Sequence, residues 1–276
     1  CFPILNRVFK MRIAIVGTGN MGEAILRGLL ENLVQKTDIT ALTKTNQSAE
    51  ALKSKYGVNT GISISEVTDA DVIFIGVKPQ SMDEVLPEIG KYAKKDSLII
   101  SLAVGVTTAT IAKKLKMKKP IVVRAMPNTP SLVGQGVTGL AKGKDALETD
   151  LVRAKELLST IGIVVIVEEK LIDVLAATSG SGPAYYFYVT ECLIEAAIAN
   201  GLDKETAQLL VENTFLGSAE LFKQSDDDVV TLRNKVTSPK GTTQSAIEYL
   251  ERKNLRKIWT KAFKAAIKRA KAISKA

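Results

Sequence analysis

The stretch "RIAIVGTGNMGEAILRGLL" (12–30) limits what this chain can fold into more than any other. A short Ile/Val run turns through Gly17, Gly19 and Gly22 straight into a helix-patterned segment. Gly17 permits the tight turn, Gly19 lets a pyrophosphate approach the backbone, and Gly22 lets the helix pack closely on the strand. The helix N-terminus then presents N–H groups and partial positive charge to the phosphates. Gly17, Thr18, Gly19, Asn20, Met21 and Gly22 are therefore the first candidate cofactor contacts. The spacing alone is common, and its weight comes from opening the first strand–helix unit of a repeating pattern.

That pattern runs from Met11 to about Val167. Apolar runs recur at 12–16, 39–42, 71–77, 97–103, 121–126, 137–141 and 163–167, with helical segments between most of them, among them 22–33, 48–55, 107–116 and 145–160. Continuous Val/Ile-rich strands alternating with helices predict a doubly wound α/β domain, a parallel sheet covered on both faces. After Glu168 the chain reads as long apolar-periodic helices, about 171–178, 184–199, 203–223, 243–251 and 254–273, with no strand. The expected organisation is an N-terminal extension at 1–10, a dinucleotide-binding domain at 11–168 and an all-helical domain at 169–276. Tyr185 to Ala199 is apolar almost all round, with Glu191 and Glu195 the main exceptions. Such a helix must be buried in its own domain or against a second subunit.

Composition excludes several classes of function. No apolar run approaches the roughly 20 residues of a membrane-spanning helix, and the N-terminal apolar stretch is too short for a secretory signal. Cys1 and Cys192 are too few for a disulfide framework and lack metal-ligand spacing, which predicts a reducing, cytoplasmic compartment and no metal. The chain has no histidine, so the usual general base and proton shuttle are missing and any chemistry must work by other means. The net charge of +9 is concentrated at one end, where Arg252 to Ala276 carries ten Lys and Arg and no acid. Ile258, Trp259, Phe263, Ala266 and Ile267 recur near helical spacing there, so the charges read as the solvated face of a docked helix. A nucleic-acid or anionic-membrane patch is the other reading, but no recognisable nucleic-acid module or set of stacking aromatics accompanies it. Neither nucleic acid nor membrane is expected as a partner.

The second apolar run points to the cofactor. An acid at its end would bind the ribose 2′-hydroxyl of NAD, but "ITALTKTNQ" (39–47) offers Thr43, Lys44 and Thr45 and no acid. Lys44 and the hydroxyls suit a 2′-phosphate, so NADPH is expected, with NADH possible. "GVKPQ" (76–80) and "SLAVGV" (101–106) follow later strands and should line the cleft at the strands' carboxyl ends. Toward the C-terminus, "VTSPKGTTQSAIEYL" (236–250) places Pro, Lys, Gly and two threonines before a helix-patterned run. A helix entrance with open N–H groups and hydroxyls suits a small anion. Thr242 or Thr243 as an ordinary N-cap is the plainer alternative.

In combination, "RAMPNTPSLVGQGVTGLA" (124–141), "SGSGPAYYF" (179–187) and "VTSPKGTT" (236–243), behind the glycine fingerprint and "VKPQ", closely resemble the pyrroline-5-carboxylate reductase family. The resemblance covers most of the chain from Met11 onward. It implies a Rossmann domain followed by an all-helical domain that intertwines with a second subunit, giving a homodimer or larger homo-oligomer. It implies hydride transfer from NAD(P)H to the C=N carbon of Δ1-pyrroline-5-carboxylate, giving L-proline in the last step of proline biosynthesis. Cofactor contacts then fall on Gly17 to Gly22, Thr43 and Lys44, Gly76, Val77, Lys78 and Pro79, and Leu102, Ala103 and Val104. Substrate contacts fall on Glu169, Thr242 and Thr243, with Ser238 and Gly241 shaping the loop. Thr243 is the expected catalytic residue, placed to hydrogen-bond the ring nitrogen, while Glu169 either orients the substrate or is structural. A protonated imine is already electrophilic, so its reduction needs little acid help and no histidine. Two departures stand out: Lys240 where many members have glycine, and Lys235 where some have an asparagine near the cofactor. The alternative is another NADPH-dependent imine or β-hydroxyacid oxidoreductase. Dehydrogenases of the latter kind carry a lysine on the helix opening the second domain, and 179–201 contains none.

Overall fold

A computed structural model describes residues 11–273, so the expected extension at 1–10 lies outside the described residues. Eight strands form one sheet in the order β3-β2-β1-β4-β5-β6-β7-β8. They are β1 (Ile13–Val16), β2 (Ile39–Leu42), β3 (Asn59–Gly61), β4 (Val72–Ile75), β5 (Leu98–Ser101), β6 (Ile121–Met126), β7 (Gly136–Lys142) and β8 (Gly162–Ile166). The helices between them are α1 (Asn20–Asn32), α2 (Asn46–Tyr56), α3 (Met82–Tyr92), α4 (Thr108–Leu115) and α5 (Glu148–Leu158). Alternate residues of each central strand feed different cores. Ile13 and Ile15 of β1 join Phe74, Ile25, Leu29 and Leu157 in one, while Ala14 and Val16 join Ile73, Ile75, Leu86 and Ile111 in the other. Each fully buried Ile, Leu or Phe side chain contributes about 1.5–3 kcal/mol, which is why continuous apolar runs settle as central strands.

The sheet is not wholly parallel, which corrects the expectation. β1 to β6 are parallel, but β7 pairs antiparallel with β6 and β8 runs parallel to β7, so the last two strands are reversed. A parallel connection needs a crossover of about a dozen residues or more. Residues 127–135 are too few, and they fold as a short 3₁₀ turn, Thr129–Val133, that sends the chain back. The longer segment between β7 and β8 holds α5 and restores a parallel pair.

Two further elements, β3 and α3, were not foreseen. β3 is a polar three-residue edge strand. α3 carries Pro87 inside it, which removes one backbone bond, yet Met82, Leu86 and Ile89 are buried and outweigh a penalty of about 3 kcal/mol.

The chain divides into two compact units, one ending at Ser181 and taking in the segment from Ile267, the other Gly182–Ala266. The expected boundary at 168/169 lies upstream of this division. The intervening segment, α6 (Ile172–Leu175) and a π turn (Ala176–Gly180), stays with the sheet because Ile172, Ala176 and Ala177 are buried and Leu175 packs over Gly139. The second unit contains α7 (Gly182–Ala199), α8 (Lys204–Gln224), α9 (Val229–Lys235), α10 (Thr242–Arg252) and most of α11 (Leu255–Ile273). The seven-residue α9 was also not foreseen. Aspartates cap α8 and α9: Asp203 accepts from Thr206 N at 2.9 Å and Asp228 from Thr231 N at 2.7 Å. These backbone donors hold both carboxyls below their ordinary range.

Candidate active site

Two helix starts have glycine N-caps. Gly19 precedes α1 and Gly241 precedes α10, and neither supplies a capping side chain. Both therefore leave first-turn N–H groups open, unlike the aspartate-capped α8 and α9.

At α1 the glycines do separate jobs. Gly17 sits at φ +92, and a Cβ there would lie 2.8 Å from Val77 N and 2.9 Å from Gly76 C. A Cβ on Gly22 would lie 2.6 Å from Gly17 O, so the helix reaches the strand end only without a side chain. A Cβ on Gly19 would meet nothing within 4 Å. This glycine keeps open the space beside the helix start, as an approaching pyrophosphate requires. Glu23 in the first turn would repel a phosphate, but its carboxylate is occupied by Lys55 Nζ and Tyr56 OH, each at 2.7 Å. The Lys55 bond first, then the Tyr56 bond, holds this carboxyl below its ordinary value.

The structure brings the other expected cofactor loops to the same strand ends. Gly17 N donates to Leu42 O at 2.9 Å, Gly76 N to Val16 O at 2.8 Å and Leu102 N to Ile75 O at 2.9 Å. A Cβ on Gly76 would lie 2.6 Å from Gly17 O, so Gly17 and Gly76 need each other's lack of a side chain. Thr18 Oγ1 donates to Leu42 O at 3.4 Å. Ala103 is buried, whereas Asn20, Lys78 and Val104 are exposed and Met21, Val77 and Pro79 are intermediate. Thr43 Oγ1 donates to Thr45 O at 2.9 Å, and Thr45 caps α2, so neither threonine keeps a free hydroxyl proton. Lys44 is exposed and makes no ion pair among the described residues.

At α10 the N-cap is Gly241, which corrects the reading of Thr242 or Thr243 as an ordinary cap. Both threonines lie inside the helix, and their hydroxyls make no hydrogen bond among the described residues. The preceding turn is closed by Gly241 N donating to Ser238 O at 3.0 Å, and a Cβ on Gly241 would lie 2.8 Å from Ser238 Oγ. Lys240 sits at φ +59, in the left-handed region. Lys235 is paired with Asp227.

Glu169 is found in a partly buried network of the first unit. Its Oε1 accepts from Thr108 N and its Oε2 from Thr108 Oγ1, both at 2.7 Å. Arg124, only 3% exposed, lies 3.7 Å from Glu169 Oε1 and 3.5 Å from Asp173 Oδ1. These distances are long for hydrogen bonds but place one cation between two acids. Asn128 ties two motifs together, its Nδ2 donating to Ser179 O at 3.0 Å and its Oδ1 accepting from Val137 N at 2.8 Å. Neither Arg124 nor Asn128 had been given a role. Their partners lie up to 51 residues away in sequence, and only the fold brings them together.

Residues 169–273 match the family described as pyrroline-5-carboxylate reductase dimerisation, and residues 12–105 that of NADP oxidoreductase, coenzyme F420-dependent. A pyrroline-5-carboxylate reductase of Corynebacterium melassecola is 38% identical over 95% of this chain and 98% of its own. This chain belongs to the pyrroline-5-carboxylate reductase family. The solved reductase from Coxiella burnetii superposes with a TM-score of 0.90 at 42% identity, covering 97% of this chain and all of its own. The Plasmodium falciparum pyrroline carboxylate reductase, solved with NADP bound, gives 0.84 at 29%, covering 97% of this chain and 99% of its own.

Within the part matching the reductase dimerisation family, α7 is largely exposed. Phe187 is 67% exposed and Tyr188 64%. Its own domain does not bury it, which removes one of the two alternatives posed by its composition. A groove of ≈720 Å³ also lies in this unit, lined by Tyr185, Tyr186, Leu193, Phe215, Trp259 and Phe263 among others. It is mostly apolar and contains none of the candidate site residues. No helix among the described residues is long and apolar enough to cross a membrane.

Proposed function

We propose that this protein reduces Δ1-pyrroline-5-carboxylate to L-proline with NADPH, the last step of proline biosynthesis. The observation that carries the reading is the open start of α10, where Gly241 offers no side-chain cap and the Thr242 and Thr243 hydroxyls have no partner among the described residues. Backbone N–H groups of the first turn, aided by the helix dipole, hold the substrate carboxylate. The Thr243 hydroxyl holds the ring nitrogen and so selects the face of the C=N bond.

The residues at α1 fit a dinucleotide: the space beside Gly19 admits a pyrophosphate, and Glu23 is turned to Lys55 and Tyr56. NADPH bound there supplies the hydride that adds to the C=N carbon. Lys44, in the loop after β2 and without an ion pair among the described residues, takes the 2′-phosphate, whereas Thr43 has its proton engaged. Glu169, with both oxygens on Thr108, serves in this reading as an anchor of the first unit. Homo-oligomer formation covers α7, and the exposed Cys192 thiol suits a reducing compartment such as the cytoplasm.

Mixing the protein with NADPH and pyrroline-5-carboxylate and following loss of nicotinamide absorbance tests the reaction. Thr243→Ala is expected to lower kcat/KM by about one to two orders of magnitude while NADPH affinity holds. Wild-type kcat/KM in that variant refutes the assignment of Thr243, and a clear preference for NADH removes the role of Lys44.

A further inference from the structure

Lys240 is the one residue of the substrate loop in a conformation that L-residues avoid, at φ +59. Its backbone N–H donates to Gln244 Oε1 at 2.7 Å, and Gln244 Nε2 donates to Glu248 Oε1 at 2.7 Å. Gln244 is the third residue of α10, where a glutamine commonly reaches back to the N-cap N–H. Here the N-cap N–H of Gly241 is already taken by Ser238 O, and Gln244 reaches one residue further. The N–H groups of Lys240 and Gly241, directly upstream of the helix start, are thereby satisfied within the loop, and Pro239 has none. The first-turn N–H groups of Thr242 and Thr243 are left as open donors.

We propose that Gln244 is a positioning residue of the substrate site: it holds Lys240 in the left-handed conformation and so fixes the turn that aims the open donors of α10. The proposal rests on the reading of that helix start as the carboxylate site. A glycine at 240 adopts the same backbone without help. Lysine does not, and the side-chain acceptor four residues on compensates. The Lys240 ammonium is exposed and has no acidic partner among the described residues, so its charge remains available beside the helix start.

The test is a double-mutant cycle, Gln244→Ala in the wild-type and Lys240→Gly backgrounds, each background serving as its own baseline. Loss of one hydrogen bond's worth of loop order predicts that Gln244→Ala raises KM for pyrroline-5-carboxylate about fivefold, with kcat changed less than about twofold. NADPH affinity should not move. In the Lys240→Gly background the effect of Gln244→Ala should fall below about twofold, because glycine needs no tether. An unchanged KM in Gln244→Ala, or an equal rise in both backgrounds, overturns the proposal. Thr243→Ala run alongside separates the failures. If Thr243→Ala is impaired while Gln244→Ala is not, only the positioning role falls; if Thr243→Ala is fully active, the reading of the site itself falls.

Discussion

Gly19 and Gly22 lie three residues apart, yet the structure predicts opposite behaviour when each is given a methyl group. In Gly22→Ala the new Cβ would start 2.6 Å from Gly17 O, a backbone atom that cannot rotate away. The first turn of α1 must retreat by roughly half an ångström, an overpacking that costs about 1–3 kcal/mol of stability. The same retreat lengthens the N–H contacts to a pyrophosphate. Losing one charge-assisted hydrogen bond of about 2 kcal/mol weakens NADPH binding about thirtyfold. In Gly19→Ala the Cβ meets nothing within 4 Å, and the backbone at φ −75 is open to any residue. Its stability cost should stay near the half kcal/mol that separates alanine from glycine at an N-cap. Its methyl group occupies the space left for the ligand, so NADPH binding should weaken at least as much as in Gly22→Ala. Urea unfolding of the ligand-free proteins and fluorescence titration with NADPH measure the two quantities separately. If Gly19→Ala binds NADPH like the wild type, no pyrophosphate approaches this loop and the cofactor assignment fails.

The remaining predictions concern the buried charges and the acid limb. Arg124→Met leaves Glu169 and Asp173 without their shared cation, a loss of about 3 kcal/mol, and Tm should fall by about 6–12 °C in a thermal melt. A shift within 2 °C would mean the long contacts carry no energy. Glu23 has its folded-state pKa depressed below the ordinary 4.5, chiefly by Lys55, so its contribution is present above that value and is lost as pH falls through the folded value. Lys55→Met should therefore be less stable than the wild type at pH 7, and the gap should close below the folded value in urea midpoints taken across pH; a gap independent of pH argues against the pairing.

Much of the first unit can be read from the sequence because its strands are buried on both faces and must be apolar throughout. Strand direction cannot be read in this way. β7 looks like its neighbours, and its reversal follows from the shortness of 127–135. β3 escapes because Asn59–Gly61 has no apolar residue, and α3 because Pro87 breaks its pattern. At the site, the glycines announce themselves through spacing. Arg124 does not, since its acids lie 45 or more residues later, and nothing in the sequence singles out Gln244, whose role shows only with the positive φ of Lys240.

In the proposed homo-oligomer, helix α7, whose Phe187 and Tyr188 are exposed in the single chain, ties the energetics of one chain to the presence of another. Once covered by a second copy, its burial enters the folding equilibrium by mass action, and the apparent melting point becomes a function of dilution. A polar replacement at Phe187 would then behave as a concentration-dependent defect, severe when the protein is scarce and progressively masked as it accumulates.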